Sequence, residues 1–559
     1  MMHNAARILR KTIMLVLYQN CPPACHSPSI PTKVGYLLKK FLDKINPAAS
    51  TLEKMCRRNK NMKKSKRLNE KQYVRNGMAI ATIAFALTQA GLAADLVIAG
   101  THPVTVASGD TTVISDKVTG PGALVVLGGG TLVLNNGNND FIGGIIVSNG
   151  VLRADAAGCL GEGPISLEGN AAIRQIQFNA NGAVFGNDIT LKDASTTKTH
   201  PAIVASKTVT LNGSLSTCPD TTSLNLYIQP GSATDNNAFM TINGPVSVVT
   251  GNLWAYVYGS MRFNGKIKTE RMRIGEGWAN NGQVSLANPE NEIANISLYN
   301  ANLLCLATNV MRGCSFCFAF SGDWVSNGYG FLNLNGYDQI FSRIYSQHET
   351  KLSPTDYGCG ITTPANSPAT ITCCWTGDAA YVYLETRIDG PVSFVIDGNG
   401  NLSQGIRRRM HRGYGSIDLR KGRFRCINGA TMPNVTNVTI ASGCRFDLTS
   451  VTNVFERLET LRIKGTGEFL CDESTTAPLS LAPISNRVTD VIMDSTATFH
   501  VRTGVTNTID HLVIGDNEIR TGLYTYETLP QMRHSSNQSA YAGALVVSRH
   551  HRSMTISFR

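Results

Sequence analysis

The sequence predicts an all-β fold, a right-handed parallel β-helix (β-solenoid) forming a single elongated rod. Three observations predict it. Short apolar runs alternate with polar residues and close on Asn/Gly turns across 128–167; a second copy of that pattern occupies 282–311; and strand starts recur in a regular column across 438–520. Alternation of period two between turn residues marks a half-buried strand. A unit this short buries its apolar face only by stacking on copies of itself.

Taken from the start, residues 1–61 are expected to be an over-extended N-terminus or a disordered extension, with translation beginning at Met62. Residues 62–94 then read as a signal peptide: a basic stretch from Met62 to Arg75, an apolar run from Met78 to Leu87, and small residues through Ala93-Ala94 before Asp95. Cleavage is expected after Ala93 or Ala94. The competing reading is an uncleaved anchor, although the apolar run is short for a membrane span. The expected location is extracellular or cell-surface, with no membrane span after cleavage.

Charge follows the same division. Residues 1–94 hold 17 Lys+Arg against 3 Asp+Glu, leaving 34 against 36 in residues 95–559. The basic balance of the whole chain therefore belongs to its first segment, and the remainder offers no electrostatic reason to expect nucleic acid as a partner. Arg407-Arg408-Arg409-Met410-His411-Arg412 is a local exception, read as a solvated loop with an anion-binding patch as the alternative.

Eleven of the fourteen cysteines follow residue 95, at irregular spacings. Cys314, Cys317, Cys373 and Cys374 together could furnish four thiolates for zinc, and some thiols of an exported chain could pair. No His spacing accompanies them, and core packing is the reading favoured.

From 95 to 547 almost nothing reads as a long helix, and about 465 residues exceed a comfortable single core. A solenoid avoids that limit because each coil touches only its neighbours. The repeat aligns residue by residue. Gly282 to Leu286 match Gly130 to Leu134; Asn291 and Ile293 match Asn139 and Phe141; Ile296, Leu298 and Leu303 match Ile145, Val147 and Leu152. A fainter third copy spans 390–406.

In the last third, Val438, Leu461, Val491 and Leu512 each begin a strand, followed two residues later by Ile440, Ile463, Met493 and Ile514. Phe446, Phe469 and Phe499 lie eight residues after the first three. Stacked coils would turn them into an internal aromatic ladder. The polar, basic tail 548–559 is expected to blunt one sheet edge.

These residues resemble the autotransporter-associated β-strand repeat of exported bacterial proteins. The resemblance rests on Gly130 to Leu134, the turn Asn138 to Gly144, Ile145 to Val147, Gly150-Val151-Leu152-Arg153 and Leu160-Gly161-Glu162-Gly163-Pro164-Ile165-Ser166-Leu167. Leu332 to Gln339, Gly522 to Thr525 and Gly543 to Leu545 are similar to further segments of such proteins. It implies a passenger-like surface protein and carries no catalytic residues. Solenoid coils fill the C-terminal third, so no translocator barrel is expected there.

Two functions follow as expectations. The first is a secreted or cell-surface structural or adhesive protein without catalytic activity, whose partners are extracellular polysaccharide or cell-surface components. The second is a polysaccharide lyase or glycoside hydrolase of the β-helix type, which would need carboxylates or a basic residue converging in a groove. The sequence assigns no catalytic, cofactor-binding or metal-binding residue. Arg462-Ile463-Lys464 reads as a rung with Ile463 inside, and Asp397-Gly398-Asn399-Gly400-Asn401 as a turn rather than a calcium loop. Trp254, Trp278, Trp324 and Trp375 are expected to fill coil junctions. His200, His348, His411, His500 and His511 show no metal spacing.

Overall fold

The computed structural model describes residues 95–548, except 194, 198, 220–223, 233, 276–281, 320–329, 347–358, 375–380, 385, 399–402, 408–412, 414, 428–429, 450–454, 472–489, 502–505, 526 and 535–543. The chain divides after Leu92, and every described residue belongs to the second unit, Ala93–Arg559. That unit is an all-β solenoid of stacked parallel strands, with no α-helix among the described residues. No helix there is long and apolar enough to cross a membrane.

Stacking follows from the alternation. Gly150–Ala154 buries its first, third and fifth residues and leaves Val151 and Arg153 part-exposed. Inward residues of successive coils then meet in register. One column runs Leu124, Ile145, Ile165, Ile189, Leu215, Val246 and Ile267. A second, on the same large sheet, runs Leu132, Leu152, Ile176, Ile203, Ile228, Ala255 and Ile274. All of these side chains are buried. A nine-stranded sheet from Ala183–Phe185 to Arg387–Asp389 supplies another face, and a seven-stranded sheet from Tyr381–Leu384 to Met532–His534 supplies one in the later coils.

The two aligned repeats make the same kind of contact on different faces, the first on the large sheet and the second with Val284 on the nine-stranded sheet. Leu132 lies opposite Leu152 one coil on, and Val284 lies opposite Leu303 in the same way. Their turns share a buried device. Asn139 Oδ1 accepts from Val118 N at 2.8 Å while its Nδ2 donates to Cys159 O at 2.6 Å. Asn291 repeats this, accepting from Ile267 N at 2.8 Å and donating to Val310 O at 3.0 Å. Each side-chain amide thus ties the coil before it to the coil after it. An apolar replacement would leave two buried backbone groups unpaired.

A shorter stack was missed in the sequence. Leu211-Asn212-Gly213-Ser214-Leu215, Ile242-Asn243-Gly244-Pro245-Val246 and Phe263-Asn264-Gly265-Lys266-Ile267 turn the chain between sheets in three successive coils. Asn243 Nδ2 donates to Asn212 Oδ1 and Asn264 Nδ2 to Asn243 Oδ1, both at 2.8 Å. The glycines sit so closely that a Cβ on Gly244 would lie 1.9 Å from Gly213 O.

In the last third the predicted registers all occur. Val438, Leu461, Val491 and Leu512 stack, as do Ile440, Ile463, Met493 and Ile514. The same columns reach back to Ile371 and Cys373 through Phe394 and Ile396, then Ile417 and Leu419. The aromatic ladder is present and one ring longer than expected. Phe424 joins Phe446, Phe469 and Phe499, with successive centroids 5.2, 5.6 and 5.2 Å apart.

At the last rung the edge of the large sheet is covered by a short strand. Asn517–Ile519 folds back antiparallel onto the last rung, His511–Ile514. The reversal of direction ends the parallel ladder by occupying its edge. Ala544–Val547 pairs instead with Thr506–Ile509 and, antiparallel, with Gly522–Tyr524. The remainder of the tail, 549–559, lies outside the described residues.

Candidate functional site

The strands that carry the phenylalanine ladder also build a charged outer face. In Arg423–Ile427, Arg445–Thr449, Glu468–Cys471 and Thr498–Val501 the second residue is always Phe. With Phe inside, the first and third residues face out. Register then stacks Arg423, Arg445, Glu468 and Thr498 in one column, and Arg425, Asp447, Leu470 and His500 in the next.

Asp447 sits on this outward face yet is wholly buried, because guanidinium groups cover it. Arg445 Nε donates to its Oδ1 at 2.6 Å. Arg423 donates to Oδ2 through Nε and Nη2, and Arg425 Nε lies 3.5 Å from the same oxygen. A carboxylate offers about four acceptor positions, and forked guanidinium donors match them in the plane. With its lone pairs engaged this way, Asp447 has a structural role. It fixes the arginines of adjacent rungs beside one another.

Next to them is a groove of about 530 Å³ lined by Gly422, Arg423, Gly443, Cys444, Arg445, Thr466 and Glu468. Glu468 Oε2 lies 3.9 Å from Arg445 Nη1 and 4.0 Å from His500 Nε2. His500 Nε2 is also 3.3 Å from Thr498 Oγ1. Thr466 N donates to Ser442 Oγ at 3.1 Å, which joins the two turns at one end of the groove. Among the described residues the lining therefore presents the guanidinium nitrogens of Arg423 and Arg445, the Thr466 hydroxyl, the Cys444 thiol and the Glu468 carboxylate. That chemistry suits planar anions. Glycosidic bond hydrolysis by an acid–base pair needs a second carboxylate across the substrate.

The sequence named none of these groove residues as a site, and the signal was the Phe alignment itself. Once the rings are placed in a ladder, their flanking residues are placed too.

The other features singled out in the sequence fall elsewhere. Trp254 faces outward but is sandwiched between Tyr227, stacked at 4.9 Å, and the Arg273 guanidinium at 4.4 Å. Both ring faces are thus occupied, and Trp254 offers no platform for a sugar. Trp278, Trp324 and Trp375 lie outside the described residues, as do His348, His411, residues 408–412 of the arginine run and residues 399–401. Arg407 is in the strand Ser403–Arg407. Lys421 Nζ lies 3.0 Å from Asp397 Oδ1. Ile463 points inward between exposed Arg462 and Lys464. His200 closes a turn with Thr197. His511 lies within 3.0 Å of both Asp490 and Glu518, where it ties the closing strand to the last rungs.

The cysteine cluster is split by strand geometry. Cys314 shares the inner face with Phe316 and Phe318, so Cys317 takes the opposite face; adjacent Cys373 and Cys374 also diverge. Cys314 and Cys373 are separated by the intervening Phe341, two strand spacings or about 10 Å, too far for one metal ion or one disulfide. No group of three or more His, Cys, Asp or Glu is placed to hold a metal among the described residues. Burial pushes the Cys159 and Cys317 thiols up to about 11, and those of Cys305, Cys314, Cys373 and Cys426 well above the usual range. They behave as small apolar side chains.

Compared with known proteins, the chain matches no family model, no curated protein and no solved structure.

Proposed function

We propose that this chain is an exported bacterial β-solenoid of the autotransporter-associated repeat type, acting at or beyond the cell surface as a structural or adhesive element that binds glycans or other surface components without turning them over. The observation that carries the reading is the outer face of the later coils. Its ionic groups are organised around a buried Asp447, and its groove is lined by one carboxylate beside two arginines. Such a face suits the gripping of an anion through paired guanidinium donors. The repeat resemblance and the basic, then apolar, segment at 62–94 support export.

The second reading, a polysaccharide lyase or glycoside hydrolase of the β-helix type, is favoured by one observation. Glu468, Arg445 and His500 converge within about 4 Å contacts. A glycan array probed with residues 95–559 separates the two, with reducing ends and unsaturated products measured on every hit. Binding without product is the expected result. Product release from any bound glycan contradicts it and transfers the assignment to the lyase or hydrolase reading.

A further inference from the structure

We propose that the Arg423–Arg445 groove binds the carboxylate groups of a linear acidic polysaccharide, an inference that rests on the surface-binding reading above and names its ligand class. Four features carry it. Arg423 and Arg445 lie on adjacent rungs, about one strand spacing of 4.8 Å apart at the backbone, and their guanidiniums converge on the two oxygens of Asp447. Because Asp447 fixes them from below, little side-chain freedom remains to be lost on binding. Their side chains nevertheless keep 27% and 37% of their surface open, whereas Asp447 keeps none. The third feature is donor chemistry: Arg423 and Arg445 line the groove with forked guanidinium donors, beside the Glu468 carboxylate.

The fourth feature is shape. The groove crosses three successive rungs, with Gly422 and Gly443, both at positive φ, in its lining. A lone small anion needs no such length, whereas a chain of pyranose rings bearing one carboxylate each follows the rung direction. Guanidinium nitrogens meet those planar carboxylates through paired hydrogen bonds. Thr466 lines the same groove and supplies a hydroxyl of the kind that bonds ring hydroxyls. Glu468 opposes the ligand's charge and holds the end of the groove open to Arg445 only loosely, at 3.9 Å.

The test uses the full chain with an oligogalacturonate of about ten residues and its methyl ester, which keeps the sugar backbone and masks the carboxylates. The acid form is expected to bind and the ester to bind at least about tenfold more weakly. Arg445→Gln is expected to lose at least about tenfold for the acid form, and Arg445→Lys most of that, since an ammonium lacks the fork. Glu468→Gln leaves the buried Asp447 network untouched and is expected to tighten acid binding several-fold. If Arg445→Gln does not fold, as read by circular dichroism, Glu468→Gln and the acid–ester comparison still decide. Equal affinity for acid and ester, or no tightening in Glu468→Gln, overturns the inference. Binding to some other glycan on the array but not to the acid oligomer overturns it while sparing the surface-binding reading; binding to no glycan removes both.

Discussion

Phe469→Ala is expected to destabilise the C-terminal coils by about 3–5 kcal/mol, the range for removing a large buried aromatic. Phe469 is fully buried and lies between Phe446 at 5.6 Å and Phe499 at 5.2 Å, near parallel to both. Truncation removes a ring from the middle of the ladder and leaves both neighbours facing a void. The strands above and below are fixed by backbone pairing, so the site cannot collapse around the gap. Solenoid coils are coupled mainly to their neighbours, so the loss is expected to be local. Denaturant titration combined with hydrogen exchange across 438–514 measures it. A change under about 1 kcal/mol would mean that the ring is not a buried ladder member.

Gly244→Ala is expected to cost at least about 3 kcal/mol, at the upper end for overpacking, because the obstacle is backbone. The new Cβ would lie 1.9 Å from Gly213 O and 2.4 Å from Gly213 C. Relief requires the two coils to move apart, which breaks the Asn212–Asn243–Asn264 amide ladder and the backbone bond from Asn243 N to Leu211 O. Gly182→Ala is the contrasting case: it has no heavy atom within 4 Å of its would-be Cβ, but its φ of +72° strains any side chain. Its cost is therefore expected to stay near 1 kcal/mol. Thermal unfolding of both variants checks the difference. Equal effects would mean that the turn stack is not tightly packed.

These two sites show what the sequence made legible. Phe446, Phe469 and Phe499 were readable because each sits at a fixed distance from an alternating strand, so one period located both strand and ring. Phe424 escaped because it lies seven rather than eight residues after Ile417, the member of the Val438 column on its own coil, and no strand start was assigned there. The Asn-Gly turns were in plain view, but they recur at intervals of 31 and 21 residues, and loops of unequal length hide such a stack.

The charged face was harder to read. Arg423 and Asp447 are 24 residues apart, and only the register brings them together. In the sequence Asp447 looks like an ordinary solvated acid on an outward position; its burial is a product of three neighbours from two rungs. The closing strand shows the opposite limit. Asn517–Ile519 is short and polar, and nothing in three such residues distinguishes an edge cover from a loop until Glu518 is seen bonded to His511.

The central claim is that successive described coils stack in register, with local bulges at Val248/Asn252, Cys314/Ser315 and Ile396/Asp397, and paired spin labels test it most directly. Thr372, Val395, Asp418, Thr439, Arg462, Ile492 and Val513 occupy one outward column, one residue per coil. With exposed native cysteines replaced by serine, Thr439→Cys and Val513→Cys carry labels three rungs apart, and Thr372→Cys and Val513→Cys six. At about 4.8 Å per rung the backbone separations are about 14 and 29 Å, and the measured distances should stand near a ratio of two. Distances that do not scale with the number of rungs would contradict the stacked solenoid and everything built on its registers.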